Sequence, residues 1–436
     1  MNTPTTPHKR KYSTEKIDNR LESRRIVIPM TSEEYKTTMS TSQQARIYLA
    51  EQLQIYPELF PATMAEGYKF NGWTEVSKKM ENLQLRRIRL SKEDTDGRKL
   101  AYTITPCDVL PYMTGMVSDV EKGLFLKQFG VPNWALTYVF GRNDSYWYRQ
   151  EEALGRYNLV GSTVKKEENL PIDLLADEKH AKAHGDKWYI ATTVADDCVL
   201  GASVSATADA DGLTAAYDVF KQEVQTIQPE YQPTTVNTDG WAATSKAWRT
   251  LFPSVTIILC FLHAFIKIRS RCKRLGEDYE QIKQHVWDIY HAVNRSEFNE
   301  NVSSLQNWVL DHRKGLTTYA IESIDKLCRR ADQFCLAYDH PTAYRTSNML
   351  DRHMNPMARW LANGRYFHGN LQSAELRTRA WALLHNYRIY CPRAKVSDSF
   401  SSPAHKLNGF VYRDNWLENL LVSSSCQGFR LSHRKR

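Results

Sequence analysis

The chain has 436 residues, enough for two or three domains and a large apolar core. Its formal charge of +9 favours an anionic partner, and its longest apolar run, Val255 to Ile266, is too short to cross a bilayer. A basic N-terminus without an apolar stretch behind it, and eight cysteines without a Cys-x-x-Cys pair, argue against a secreted disulfide scaffold. The expected home is the cytoplasm or nucleoid of a prokaryote, with the thiols reduced and no membrane partner.

In chain order, residues 1–40 read as a basic flexible arm: Met1 to Arg25 carries seven Lys/Arg against three acids. Residues 41–165 read as a mostly α DNA-binding region. A helix is expected around Gln43 to Leu53, and Tyr68, Phe70 and Trp73 mark a packed region beyond it. Between 121 and 141, Leu124, Phe125 and Phe129 form an apolar face. Gly130 then marks a turn, and Val131-Pro132-Asn133 opens a second helix with Trp134, Leu136 and Val139. That is helix-turn-helix-like, although a plain helical hairpin has the same pattern. Arg142, Tyr146, Trp147, Tyr148 and Arg149 form a basic-aromatic strip, with Arg142 and Arg149 as candidate DNA contacts.

From 166 the pattern changes. Strands are expected at Leu174 to Lys179, Lys187 to Val194 and Val199 to Val204, with Asp196-Asp197 turning the chain between the last two. Leu213, Tyr217, Phe220, Val224 and Ile227 recur at helical spacing. Strand Thr234 to Thr238, helix Trp241 to Leu251 and strand Val255 to Leu259 follow. Residues 264–344 read as helical throughout, and a helix at Ser373 to Tyr387 closes a segment spanning 345–390. Residues 391–436 read as a basic tail, with four Lys/Arg between Arg430 and Arg436.

The most informative stretch is Thr238-Asp239-Gly240-Trp241, a helix, Phe252-Pro253, an apolar strand, and Cys260-x-x-His263. Taken alone, Asp239-Gly240 is a turn and helix cap. The whole order resembles the catalytic core of Mutator-type transposases of prokaryotic insertion sequences. The resemblance spans about Leu170 to Tyr390. It implies an α/β ribonuclease-H-like catalytic domain, 166–263 with 345–390, interrupted by a large all-α insertion at 264–344. It also implies three metal-binding acids holding Mg²⁺, for which Mn²⁺ can substitute.

Asp177 on the first strand and Asp239 after the fourth match the first two acids. Thr346-Ser347-Asn348-Met349-Leu350-Asp351-Arg352 resembles the family's Thr-x-Asn-x-x-Glu-Arg motif, with Asp351 in place of the commoner glutamate. Thr346 or Ser347 is expected to cap that helix. Glu375 is the rival third acid; otherwise it is a surface partner of Arg379 one helical turn away. Cys260 and His263 supply only two zinc ligands, short of a zinc site. His263 is expected to contact phosphate or to pack. Lys267, Arg269, Arg271, Lys273 and Arg274 are candidate DNA contacts that cannot all share one helix face. The implied activity is a DNA transposase that binds transposon ends in double-stranded DNA, as a homodimer or larger assembly, cuts one phosphodiester per end and joins the freed 3′-hydroxyl to target DNA. The alternatives are an inactive DNA-binding derivative and a nuclease without strand transfer.

Overall fold

The computed structural model describes residues 20–93, 97–110, 115–394, 396 and 399–431. It is a mixed α/β fold. The first nineteen residues, nearly half of the expected basic arm, and the last five lie outside the described residues.

The N-terminal region opens with β1 (Arg20–Glu22), β2 (Arg25–Ile28), α1 (Ser32–Thr38) and α2 (Ser42–Ile55). Next come β3 (Tyr68–Trp73), β4 (Arg86–Glu93) and β5 (Lys99–Pro106). Four of these strands form a sheet in the order β2-β5-β4-β3, with β2 parallel to β5 and the other pairs antiparallel. The sheet adds strands to a region expected to be mostly α, in which helices still outweigh strands. It corrects the flexible arm between residues 20 and 40, where Ile26, Val27 and Ile28 are buried in the main core. The aromatic residues of β3 serve this sheet: the Arg86 guanidinium lies 4.0 Å from the Phe70 ring centroid and 4.8 Å from that of Trp73.

Next come α3 (Glu121–Lys127), α4 (Asn133–Phe140), α5 (Asp144–Leu154) and α6 (Leu159–Thr163). The turn between α3 and α4 contains Gly130 at φ +78°, where a side chain would run into Asn363. Leu136 is buried, but Trp134, Tyr138 and Val139 of α4 are exposed. Trp147 is buried in the core, so the expected basic-aromatic strip is not one surface; Arg142 and Arg149 are its exposed cations.

The second sheet comprises β6 (Asp173–Ala183), β7 (Asp186–Ala195), β8 (Cys198–Ser205), β9 (Thr235–Thr238) and β10 (Thr256–Leu259). Helices α7 (Ala210–Gln225) and α8 (Ala242–Leu251) connect its last strands. The order is β10-β9-β6-β7-β8; β7 alone runs against the rest. Asp196 and Asp197 do turn the chain into β8, both at positive φ. One face of the sheet is covered by α7 and α8, through Leu213, Tyr217, Phe220 and Trp248. The expected strands and helices between 173 and 259 are all present.

Residues 261–335 form α9 (Phe261–Cys272), α10 (Glu277–His291), α11 (Arg295–Asp311), α12 (Thr318–Arg329) and α13 (Ala331–Cys335) around their own core. The chain returns through α14 (Asn348–Asn363) and α15 (Leu371–Tyr387), then α16 (Pro403–Asn408), α17 (Trp416–Ser423) and β11 (Phe429–Leu431). The basic tail is therefore corrected up to residue 431. Leu417, Leu420, Leu421 and Val422 are fully buried, and β11 pairs with β1. One continuous core joins the N-terminal sheet, one face of the second sheet, α14, α15 and α17. All eight cysteines are unpaired. No helix among the described residues is long and apolar enough to cross a membrane.

A buried ionic knot ties α14 and α15 to the N-terminal helices. Glu151 on α5 faces Lys127 Nζ at 3.1 Å and Arg377 Nε at 3.7 Å, and accepts from Trp360 Nε1 at 3.0 Å. Burial alone would raise its carboxyl, but Lys127 and Arg377 outweigh that and hold it below the usual range. Glu151→Ala leaves two cations buried without their counter-ion. It should destabilise the protein by about 3–5 kcal/mol, measured by urea unfolding; a loss within experimental error would show that the knot carries no weight.

Candidate active site

Strands β6, β9 and β10 run parallel and end on one line. Asp173 is level with Thr235 and Leu175 with Asn237, a constant offset of 62 (235 less 173). Asp239 follows Asp177 by the same 62, so extending the row by two residues sets the two carboxylates side by side. Thr235 is level with Thr256, an offset of 21 (256 less 235), which sets Cys260 beside Asp239. Because parallel neighbours share a face, Asp177, Asp239 and Cys260 form one row at the carboxyl ends of the strands. In open α/β sheets that edge is where ligands bind.

The backbone shapes this row. Asp239 Oδ1 accepts from Trp241 N at 2.7 Å, an Asx turn that leads into α8. The turn and the placement at the strand end thus coexist at Asp239. Gly240 stands at φ +82°, where a Cβ would collide with the Arg330 guanidinium. Asp177 Oδ1 accepts from Glu178 N at 2.8 Å. Among the described residues, no hydrogen bond takes the second oxygen of either aspartate.

The third acid arrives from the far side of the helical insertion. The returning chain is tied to the sheet at Asn237 Nδ2, which donates to Tyr344 O at 2.9 Å, and at Phe261 N, which donates to Arg345 O at 3.1 Å. Ser347 sits at the N-cap position of α14, but its hydroxyl makes no cap bond. Instead Cys260 Sγ lies 3.2 Å from both Ser347 N and Ser347 Oγ. The same hydroxyl lies 3.4 Å from His263 Nδ1 and donates to Asp351 Oδ2 at 3.3 Å. Asp351, in the first turn of α14, is thereby brought against the row.

Electrostatics record the convergence. Burial raises Asp177 to about 6, with Asp239 and Asp351 pushing the same way against the Glu178 amide and His263. The hydrogen bond with Cys260 raises His263 to about 9, helped by Asp177 and Asp351, so its imidazole is a cation at neutral pH. Burial opposes ionisation of Cys260, but the bonds with His263 and Ser347 outweigh it and lower the thiol. Three carboxylates and one imidazolium therefore share the site. The donor set is hard carboxylate oxygen, which suits Mg²⁺ or Mn²⁺. Among the described residues, however, no three His, Cys, Asp or Glu side chains are drawn together closely enough to enclose a metal ion. The carboxylates form an open site, and Cys260 and His263 contact each other.

A cleft of about 370 Å³ opens beside Asp239, lined by Lys267, Arg271, Lys326 and Arg330 with Glu322. Of the five basic candidates on and after α9, only Lys267 and Arg271, one turn apart, face it. Arg269, Lys273 and Arg274 are exposed elsewhere. Arg142 and Arg149 do not line it; Arg149 lines a shallow surface hollow with Tyr148. Glu375 is corrected on its surface role: it is 1% exposed and takes a 3.3 Å bond from Ser203 Oγ of β8.

Glu178 was missed by sequence reasoning. It points to the opposite face from Asp177 and accepts from Tyr217 OH of α7 at 2.7 Å and Thr244 Oγ1 of α8 at 2.8 Å. It thus links the strand bearing Asp177 to the helix that follows Asp239. The alternation within Leu174-Leu175-Ala176-Asp177-Glu178 carried the signal, since it turns Glu178 toward the helices with Leu174 and Ala176. The chain matches no protein-family model and no curated sequence.

Burial raises Glu178 from its ordinary 4.5 to about 7. Between those values the folded state binds the extra proton, so stability is greatest below the unfolded value and falls as pH rises toward 7. Glu178→Gln copies the protonated acid and should remove a loss on the order of 3 kcal/mol. Melting curves should place the variant above the wild type at pH 8, with the gap closing by pH 5. A gap independent of pH would contradict this account.

Proposed function

We propose that this protein is a metal-dependent DNA transposase of the Mutator-type insertion-sequence class. It binds the two ends of a mobile element in double-stranded DNA as a homodimer or larger assembly, cuts a phosphodiester at each end, and joins the 3′-hydroxyl to target DNA. The observation that carries this reading is the row itself: Asp177 and Asp239 level on adjacent parallel strands, with Asp351 brought to them through the Cys260–Ser347 contact, beside a cationic cleft. The sheet order β10-β9-β6-β7-β8, with one antiparallel strand and a long helical segment between the second and third acids, supports a ribonuclease-H-like catalytic domain.

Asp177, Asp239 and Asp351 would hold the divalent ions, which supply Lewis-acid stabilisation of charge on phosphoryl oxygens. The chain's own residues do the rest. Lys267 and Arg271 hold phosphate next to Asp239, and the His263 cation offsets the negative charge gathered at Asp177 and Asp351. The buried strand ends keep the carboxylates fixed while the substrate is exchanged. Water attacks the scissile phosphorus and releases a 3′-hydroxyl. That hydroxyl then attacks a target phosphodiester in line and expels the target's own 3′-oxygen.

The test uses a supercoiled plasmid carrying the DNA that borders the gene, incubated with Mg²⁺ or Mn²⁺. Asp177→Asn, Asp239→Asn and Asp351→Asn should each abolish cutting and joining while retaining DNA binding. A double variant should lose no more than a single one, because the acids act as a unit. Glu375→Gln should keep its bond to Ser203 and still cut. Wild-type cutting by Asp239→Asn, or loss of cutting confined to Glu375→Gln, would refute the assignment.

A further inference from the structure

The cationic cleft beside Asp239 does not end at Arg330. A second cleft of about 440 Å³ lies on the other side of that residue, and it also shares Leu259 with the first. The first cleft contains Asp239 and the second Gly240, so the two meet over the turn at the end of β9. Arg330 spans the junction, held by its Nε bond to Gln333 at 3.1 Å and a 3.5 Å contact of Nη2 with Gly240 O. Lys246 and Arg249, three residues apart on α8, line the second cleft. Lys326 and Arg330 lie four residues apart, as do Lys267 and Arg271 on α9.

Six cations, five on α8, α9 and α12 and Arg330 at the junction of α12 and α13, therefore face one continuous track past Asp239. Its acids are Asp239 and Glu322. None of the six enters an ion pair among the described residues. Like charges gathered without counter-ions repel one another, and a polyanion lying along them relieves that repulsion. Each cleft has the volume of a small-ligand pocket: the sugar-phosphate chain of one strand fits within it, whereas a duplex could only lie across its opening.

Resting on the nucleic-acid reading above, we propose that this track binds an unpaired DNA strand. Its phosphates would run from Lys246 and Arg249, across Arg330, to Lys326, Lys267 and Arg271, and it would pass the catalytic acids as a single strand. The bases are not read; the contacts are to the backbone.

The experiment measures binding of the full chain to two labelled DNAs across a salt series: a blunt duplex, and the same duplex with unpaired arms. Lys246→Ala/Arg249→Ala alters two exposed side chains, and its fold is checked by thermal melting. Removing two phosphate contacts on a single strand should flatten the slope of log K against log salt by about 1.4 for the forked DNA, at about 0.7 per contact. The slope for the blunt duplex should not change. An unchanged slope with forked DNA, or an equal loss with both DNAs, overturns the track while leaving the transposase reading in place. Wild-type protein that binds neither DNA in a salt-dependent way overturns the nucleic-acid reading itself, and the track with it.

Discussion

The candidate site depends on the parallel register of three short strands. Asp177 and Asp239 are separated by 62 residues, and neither can be moved by a local adjustment. A slip of one residue between β6 and β9 would turn Asp239 to the opposite face, away from Asp177. The register is held by burial on both sides. Leu174 and Val236 pack against α7 and α8, while Leu175 belongs to the core shared with α14 and α15. Asp173 adds a polar lock at the start of the row: its two oxygens accept from Thr235 Oγ1 and Thr342 Oγ1, both at 2.6 Å. The same carboxylate thus sets the register of β9 and secures the chain returning from the helical insertion.

That return is the second constraint. Ninety residues separate Cys260 from Asp351, and a loop closure of that length carries an entropic cost that weak contacts alone would not offset. The insertion has its own apolar core, so it behaves as a rigid spacer with fixed exit points. The Cys260 thiol is the fine adjustment. It occupies the end of β10 and faces both the amide and the hydroxyl of Ser347, holding the first turn of α14 against the strand ends. The Cys-x-x-His motif therefore works as a joint between the second and third acids. The spacing places His263 one turn into α9, where it reaches the same serine.

How much of this was legible in the sequence differs by region, for physical reasons. Between 173 and 259 the strands β7, β9 and β10 are rich in β-branched residues, β6 opens on a buried Leu-Leu-Ala run, and each helix has a clear apolar stripe, so local pattern and tertiary environment agree. The N-terminal sheet was missed even though Arg86-Arg87-Ile88-Arg89-Leu90 alternates along β4 and its partners β3 and β5 are neighbours in the chain; only β2 reaches the sheet from a distant segment. Its Phe70 and Trp73 rings are covered by an arginine, not by an apolar neighbour. The C-terminal region was judged by its basic end, while Trp416-Leu417 and Leu420-Leu421-Val422 carried the structural information. Glu375 was misjudged because a charged residue three places before Thr378 and four before Arg379 reads as a solvated face. Yet α15 is buried almost all round, and its polar residues are matched individually: Arg379 to Gly155 O and Tyr157 O, Asn386 to the backbone of Val199.

The charge distribution around the row follows from the same constraints. Parallel register brings carboxylates together where burial already penalises them, as the raised Asp177 shows. The protein offsets this from the outside. His263 is made cationic by the cysteine that fixes α14, and Arg330 is lodged where Gly240 has no side chain. Neither cation forms a direct ion pair with the three aspartates among the described residues, so the acids remain available as oxygen donors while their mutual repulsion is reduced. A site neutralised by direct salt bridges would be more stable but would have no open coordination. One left without cations would resist folding at neutral pH. Cations set one residue back from the acids satisfy both demands, and they leave positive charge lining the cleft beside Asp239, as the proposed DNA substrate would require.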